Sequence, residues 1–212
     1  MSWSNVQPAV RYLMSQAVSL SLRFPAVSES SVLKALLHVF FSLVAPYYDE
    51  YGTSLGVVGN PHWEIVKDVL GEGPHKVLDL ATGTGDGAFQ LASLFAEAEV
   101  VGVDLAGPML DEARRKADQN KLADRVSFVN ADAAMLPYAD GSFDLVITQN
   151  APCHVEEMVR VTRPGGVVAS GWALANYSMV AQSARRRWEI AGLKNIQTRP
   201  AGLGLVVSGV VP

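Results

Sequence analysis

The stretch Lys76–Ala88, KVLDLATGTGDGA, decides the fold of this chain. It opens with a short apolar run, Val77–Leu80, between turn-forming residues, which predicts a buried β-strand. A helical pattern without a breaker follows over Ala88–Phe95. Between the two lie three glycines that let the chain turn sharply: Gly83, Gly85 and Gly87. The stretch therefore predicts a strand, a glycine loop and a helix, with backbone N–H groups of the loop open to a ligand.

The glycine loop by itself fits more than one class of ligand. The pattern Gly83-x-Gly85-x-x-Ala88, with Asp104 about 20 residues further on, satisfies the dinucleotide-binding fingerprint. Asp79, however, lies at the end of the strand, shortly before the loop. An acid in that place is unfavourable beside a phosphate and favourable beside an ammonium or sulfonium cation. Asp79 therefore favours a cationic ligand over a dinucleotide.

The composition limits the class of protein. The 212 residues suffice for one domain, or for one domain with an extra terminal element. With 49% hydrophobic and 18% charged residues, the chain can form a large core, so global disorder is not expected. The net charge of −4 gives no electrostatic reason to expect nucleic acid as a partner. The single cysteine, Cys153, argues against a disulfide framework or a multi-cysteine metal site and fits a cytoplasmic location.

Apolar runs and helical patterns alternate after the glycine loop. Further strands are predicted over Glu99–Asp104, Arg125–Val129, Ser142–Thr148 and Val167–Trp172, a turn over Arg163–Gly166, and a final strand pair over Asn195–Arg199 and Leu203–Val210. Strands that alternate with helices pair in parallel, whereas two strands only a few residues apart pair antiparallel. We expect an α/β fold, a three-layer α/β/α sandwich. Its Rossmann-like, seven-stranded sheet should be mostly parallel, with a C-terminal antiparallel strand pair.

The part before this sheet is predicted to be a separate element. Residues 1–71 are expected to form a helical extension or lid on a domain of residues 72–212. The most apolar run, Val32–Ala45, is interrupted by a lysine and a histidine and is too short to span a bilayer. Two interpretations are open: a helix buried against the domain, or a helix that lines an apolar pocket or touches a membrane surface. Another helix is predicted over Pro61–Leu70.

Polar residues stand at the carboxyl ends of the predicted strands, where sheets of this type bind their ligands. These residues are Asp79, Asp104, Asp132 and Gln149. A carboxylate at Asp104 could accept both hydroxyl groups of a ribose, and Asp132 with the N–H of Ala133 could pair with an adenine. A single acid after a strand is as often a helix N-cap. The ordered series of acids favours a nucleoside-containing ligand.

Five segments together resemble class I S-adenosylmethionine-dependent methyltransferases, of the kind that methylate ubiquinone and menaquinone precursors. VLDLATGTGDGA (77–88) resembles the first motif of that family, and VVGVDLAGPML (100–110) the second. NADAAMLPYADGSFDLVITQN (130–150) is similar to the adenine-binding segment and fourth strand. EEMVRVTRPGGVV (156–168) is similar to the helix, turn and strand that follow. APYYDEY (45–51) resembles the aromatic and acidic segment before the domain.

The resemblance implies S-adenosylmethionine as the cofactor, and methyl transfer to a small or lipophilic acceptor by in-line displacement. It implies no metal. The residues implied for the cofactor are Tyr48, Asp79, Ala81, Gly83, Thr84, Gly85, Asp104, Leu105, Met109, Asp132, Ala133 and Gln149. A general base is needed only where the acceptor must lose a proton. His154, just past the fourth strand, is the candidate, although it could equally cap or pack beside the next helix.

Two rival functions stay open: a nucleotide-cofactor oxidoreductase on a similar sheet, and a non-catalytic S-adenosylmethionine-binding or scaffold protein. The segment Asn150–Glu156 is short, so the helix after the fourth strand should start early. The stretch Gly171–Ser178 has no room for the long insertion that often covers the acceptor in this family. We therefore predict that Val32–Tyr51 is the lid of the acceptor site. The expected partner is a small-molecule or lipophilic acceptor, with no nucleic acid, and with peripheral membrane contact as an open option.

Overall fold

A computed structural model of the chain describes residues 12, 16, 19–24, 26, 30–55, 63–70, 73–173, 177–201 and 204–212. The predicted domain boundary at residue 71 and the predicted helix start at Pro61 lie outside these residues. The division into 1–71 and 72–212 therefore stays a prediction.

The strands form one seven-stranded sheet. They are β1 (Lys76–Leu80), β2 (Glu99–Asp104), β3 (Val126–Asn130), β4 (Phe143–Gln149), β5 (Thr162–Trp172), β6 (Lys194–Ala201) and β7 (Gly204–Val210). Their order across the sheet is β3–β2–β1–β4–β5–β7–β6. The first five pair in parallel, and β7 pairs antiparallel with both β5 and β6. The predicted fold class is confirmed, including the antiparallel C-terminal pair.

Helices cover both faces of the sheet. They are α1 (Ser31–Val44), a 3-10 turn (Ala45–Tyr47), α2 (Tyr48–Leu55), α3 (Glu64–Leu70), α4 (Asp86–Leu94), α5 (Gly107–Gln119), α6 (Val155–Val161) and α7 (Tyr177–Ile190). Apolar residues of α3, α4 and α5 share one core with one face of the sheet. Residues of α6 and α7 share a second core with the opposite face. These two cores give the three layers.

Strand β1 lies near the middle of the sheet, between β2 and β4. Its side chains alternate between the two cores, with Val77 in one and Leu78 and Leu80 in the other. The strand ends at Leu80, and the next residue, Ala81, has a left-handed φ of 53°. A residue with a Cβ adopts that conformation only at a cost in backbone energy. The turn that follows leads directly into α4.

The predicted turn over Arg163–Gly166 is wrong, because these residues belong to β5. The pairing of β4 with β5 shifts register between Phe143 and Leu145, so that extra β5 residues bulge out of the ladder. Gly165, at a φ of 76°, donates its N–H to the carbonyl of Val211. The glycine pair therefore serves a bulge held by the C-terminal residues, and the chain continues as a strand.

Candidate cofactor site at the strand ends

The glycine loop is tied to the end of β2 by Asp104. The N–H of Gly83 donates to Asp104 Oδ2 at 2.8 Å, and the N–H of Ala106 donates to Oδ1 at 2.9 Å. Burial raises the pKa of Asp104 above its ordinary value, although these backbone donors act in the opposite direction. Asp104 therefore fixes the loop, and a carboxylate with three backbone donors, from Gly83, Leu105 and Ala106, keeps acceptor capacity for a ligand hydroxyl.

Asp79 is a fully buried acid under the same loop. Thr82 donates its hydroxyl to Asp79 Oδ2 at 2.7 Å, and the N–H of Ala88 is a second, neutral donor. Burial raises the pKa of Asp79 to about 7, and the charges of Asp86 and Asp104 add to the effect. A cation bound here would relieve that unfavourable environment. The buried acid is compatible with the predicted cationic ligand, which stays a prediction.

The raised pKa of Asp79 makes the stability of the ligand-free protein depend on pH. The folded-state value of about 7 lies above the unfolded value near 3.8, so the stabilisation is present at low pH. This stabilisation is lost as the pH rises toward 7, and above pH 7 the stability no longer depends on the titration of Asp79. Between pH 5 and pH 8, the free energy of unfolding of wild type should fall by about 2–3 kcal/mol relative to that of Asp79→Asn. Denaturant unfolding at both values checks this, with exposed Asp124→Asn as the control; equal pH slopes in wild type and Asp79→Asn would contradict it.

Tyr48 and Asp49 join the segment before the domain to the glycine loop. Thr84 donates its hydroxyl to Asp49 Oδ1 at 2.5 Å, and Lys116 on α5 donates to Oδ2 at 2.7 Å. Burial raises the pKa of Tyr48 to about 12, helped by the negative charges of Asp86, Asp104 and Asp49. Tyr48, which the resemblance implies for the cofactor, therefore lies near Asp104, and Asp49 anchors this segment to the loop. Its contact with a cofactor stays a prediction.

Helix α1 lies over the ends of β2 and β3. Lys34 Nζ contacts Asp132 Oδ2 at 2.6 Å, and His38 Nδ1 lies 3.1 Å from the carbonyl oxygen of Leu105. Partial burial acts to raise the pKa of Asp132, but the bonds from Lys34 and the N–H of Ala134 outweigh it and lower the pKa. These contacts lie at the edge that the resemblance implies for adenosine. That the lid covers the acceptor stays a prediction.

The interpretation of α1 as a helix buried against the domain is wrong. None of its residues, all of which are described, is buried. Only its inward side is half-buried, because Phe41 and Val44 pack on a small cluster with Ala45 and Met109. Met109, implied for the cofactor, is itself fully buried in this cluster.

Hydrogen bonds from Trp63 and Ala173 hold the end of β4 in place. Trp63, buried just before α3, donates its indole N–H to Gln149 Oε1 at 3.1 Å. Asn150 follows in a left-handed conformation with a φ of 54°, and its side-chain oxygen accepts the N–H of Ala173. The amide of Gln149 is thereby oriented at the same edge of the sheet as Asp79.

His154 is the N-cap residue of α6, half-buried, and its side chain makes no capping hydrogen bond there. It lies close enough to Asp132 and Glu157 for its charge to favour their ionised forms. The predicted base is thus near the Asp132 end of the site. Its part in catalysis stays a prediction.

The structure brings most of the predicted residues to one edge, around Asp104 and the glycine loop. Some residues of this site were not predicted and are held by partners distant in the chain, among them Lys34, Asp49, Trp63 and Lys116. Their partners are more than 30 residues away in the chain, so a local pattern carries no signal for them. The sequence does place Asp49 directly after the aromatic pair Tyr47-Tyr48, but the resemblance implies a role only for Tyr48.

Comparison with known proteins agrees with this geometry. Residues 77–166 match the family described as a methyltransferase domain. The demethylmenaquinone methyltransferase of Thermus thermophilus is 42% identical over 135 residues, which are 59% of this chain and 60% of that enzyme. The enzyme of the same name from Deinococcus radiodurans is 36% identical over 151 residues, 67% of this chain and 62% of that enzyme. The chain thus spans about three fifths of the length of these relatives.

The fold comparison is independent of close sequence similarity. A S-adenosylmethionine-dependent methyltransferase from Aquifex aeolicus superimposes with a TM-score of 0.62 at 18% identity, covering 81% of this chain and 98% of that one. This chain therefore has the fold of class I S-adenosylmethionine-dependent methyltransferases, matches a methyltransferase-domain family over residues 77–166, and is similar to the demethylmenaquinone methyltransferases.

Proposed function

We propose that the protein transfers a methyl group from S-adenosylmethionine to a lipophilic acceptor. The observation that carries this proposal is the linked site of Gly83, Asp104 and buried Asp79 at the strand ends. The relatives named for demethylmenaquinone support a lipophilic acceptor. Such an acceptor partitions out of water and has to be collected from a lipid phase or a carrier. A cytoplasmic location stays a prediction.

The residues present fit the cofactor. Asp104 would accept ribose hydroxyls, Asp132 would accept an adenine amine, and Asp79 would face the cationic end. Among the described residues other than its chain neighbours, none has an atom within 4 Å of the Cβ position of Gly83, so the loop leaves open space where a ligand can approach its backbone. The bound cofactor supplies an electrophilic methyl carbon with a thioether as leaving group.

The protein's own contribution is orientation and exclusion of water. The network of Asp49, Thr84 and Lys116 fixes the position of Tyr48 beside the loop. Trp63 orients Gln149 at the neighbouring strand end. His154 would accept a proton only from an acceptor that must lose one. Catalysis comes mainly from holding the acceptor atom in line with the methyl–sulfur bond. His154 is the candidate base.

Transfer of a labelled methyl group tests the proposal. Purified protein is incubated with labelled S-adenosylmethionine and the reduced, quinol form of a demethylmenaquinone with a short side chain, kept reduced by a chemical reductant, and the lipid product is analysed. We expect a methylated product and release of S-adenosylhomocysteine. His154→Gln should keep the affinity for S-adenosylhomocysteine and lower the rate roughly 10²-fold or more, the usual contribution of a general base.

The rival functions give different results in the same experiment. Binding of S-adenosylhomocysteine without transfer to a panel of quinols and phenols would favour the non-catalytic scaffold. Binding of NAD(H) without binding of S-adenosylhomocysteine would favour the oxidoreductase. Unchanged transfer by His154→Gln would remove the base from the proposal and leave the methyl transfer itself standing.

A further inference from the structure

Helix α1 exposes a continuous apolar stripe. Along the helix the stripe residues are spaced i, i+4, i+7, i+8 and i+11, which places them on one face. They are Val32, Leu36, Val39, Phe40 and Leu43, and Tyr47 continues the row in the 3-10 turn. Each is between 56% and 72% exposed. A row of six large apolar side chains in water is a surface that calls for an apolar partner.

The orientation of the stripe is fixed by the opposite face of the same helix. Lys34 is paired with Asp132, and His38 contacts the carbonyl oxygen of Leu105. Phe41 packs toward Tyr48, with ring centroids 6.0 Å apart. Turning the stripe toward the domain would break these contacts and expose the small cluster around Met109. The apolar stripe therefore faces outward as long as α1 stays on the strand ends.

The apolar surface continues from the stripe to the cofactor site. Leu105 and Met135 are exposed, by 36% and 78%, in the two loops that α1 contacts. Leu105 follows Asp104 directly, and Met135 donates its N–H to the carbonyl of Asp132. An apolar partner that covers the stripe would therefore reach the edge of the sheet where the methyl donor is proposed to bind.

We propose that the stripe of α1 docks on the surface of a lipid bilayer and places the acceptor site against it. The stripe lies along one helix and its 3-10 extension, and none of its side chains is charged. Such a surface can be buried in the fluid apolar phase of a bilayer. The inference rests on the proposed function, because a lipophilic acceptor gives the docking its purpose. Binding should be driven by apolar burial and should depend little on anionic lipid, since the stripe offers no cation to a headgroup.

Docking on the surface fits the contacts better than crossing the membrane. The helical stretch Ser31–Glu50 has 20 residues and is long and apolar enough to cross by length and composition alone. That finding corrects the expectation that the run is too short. To cross the membrane, α1 would have to break the ion pair of Lys34 with Asp132. It would also lose the packing of its inward face on α5. Lying on the surface keeps every one of these contacts.

Vesicle flotation of the full-length protein tests the docking. The vesicles are pure phosphatidylcholine and an equal mixture of phosphatidylcholine and phosphatidylglycerol. We expect wild type to float with both, at low and high salt. The triple variant Leu36→Ser, Phe40→Ser, Leu43→Ser should bind at least about tenfold more weakly. The single variant Leu43→Ser should also weaken binding, whereas Ile190→Ser, a matched exposed residue on α7, should not.

Affinity for S-adenosylhomocysteine is measured on the same variants, because the stripe faces away from the domain. This measurement separates loss of docking from failure of the proposed cofactor site. Docking lost with this affinity retained supports the inference. Wild type that does not float, or a triple variant that floats equally well, overturns it. A change from dimer to monomer in the triple variant without lipid also overturns it, because the stripe would then be a contact between two copies. Flotation only with the anionic mixture overturns it as well.

Discussion

Asp104→Asn should weaken the binding of S-adenosylhomocysteine roughly tenfold to hundredfold, about 1.5–3 kcal/mol. In the free protein both carboxylate oxygens accept backbone N–H groups, from Gly83 and Ala106. The amide of asparagine replaces one acceptor with an NH2 group, which then faces another donor. The same change removes the charge proposed to hold the ribose hydroxyls. Calorimetric titration with S-adenosylhomocysteine measures the effect.

The control for Asp104→Asn has to separate charge from structure. Asp118→Asn removes an equal charge from the exposed side of α5 and should leave the affinity unchanged. Because Asp104 also holds the glycine loop, unfolding in denaturant is measured on both variants, and affinity is compared only where the native state is fully populated. Wild-type affinity in a folded Asp104→Asn protein would remove Asp104 from the site.

Gly83→Ala should lower the affinity for S-adenosylhomocysteine at least about tenfold while costing only about 1–2 kcal/mol of stability. The φ of Gly83 is 55°, nearly that of Ala81, so an alanine is strained there but can be accommodated. Its Cβ would meet no atom of the described residues beyond its chain neighbours within 4 Å, and it would occupy the space proposed for a ligand. Gly85→Ala is less informative, because its Cβ would lie 2.8 Å from the ring of Phe89 and disturb the core.

Gly192→Ala is the matched control for this variant. Gly192 also has a positive φ, of 86°, and also has open space around its Cβ position, but it lies after α7. It should lose a similar amount of stability and keep its affinity. Thermal unfolding and calorimetry on the pair measure both quantities. Equal affinities in Gly83→Ala and Gly192→Ala would mean that the loop backbone is not in contact with the ligand.

The sequence by itself determined the sheet and the edge of the sheet at which the strand-end acids lie. The run Val77–Leu80 followed by glycines admits a buried strand and a tight turn and little else, because both signals are local. Asp79, Asp104 and Asp132 could be placed at one edge because parallel strands all end on the same side. The predicted turn over Arg163–Gly166 failed for the converse reason. A bulge and a turn use the same glycines, and only the contact with Val211 decides between them.

Only the tertiary structure decided how the N-terminal helix lies and what it contacts. The sequence of α1 showed an apolar run and left open whether it is buried. Its outward stripe follows from where Lys34 and His38 find acceptors, at Asp132 and Leu105, which are far away in the chain. The same holds for Asp49 with Lys116 and for Trp63 with Gln149. A local pattern fixes the periodicity of a helix, but the side that faces the domain is chosen by long-range partners that satisfy its polar groups.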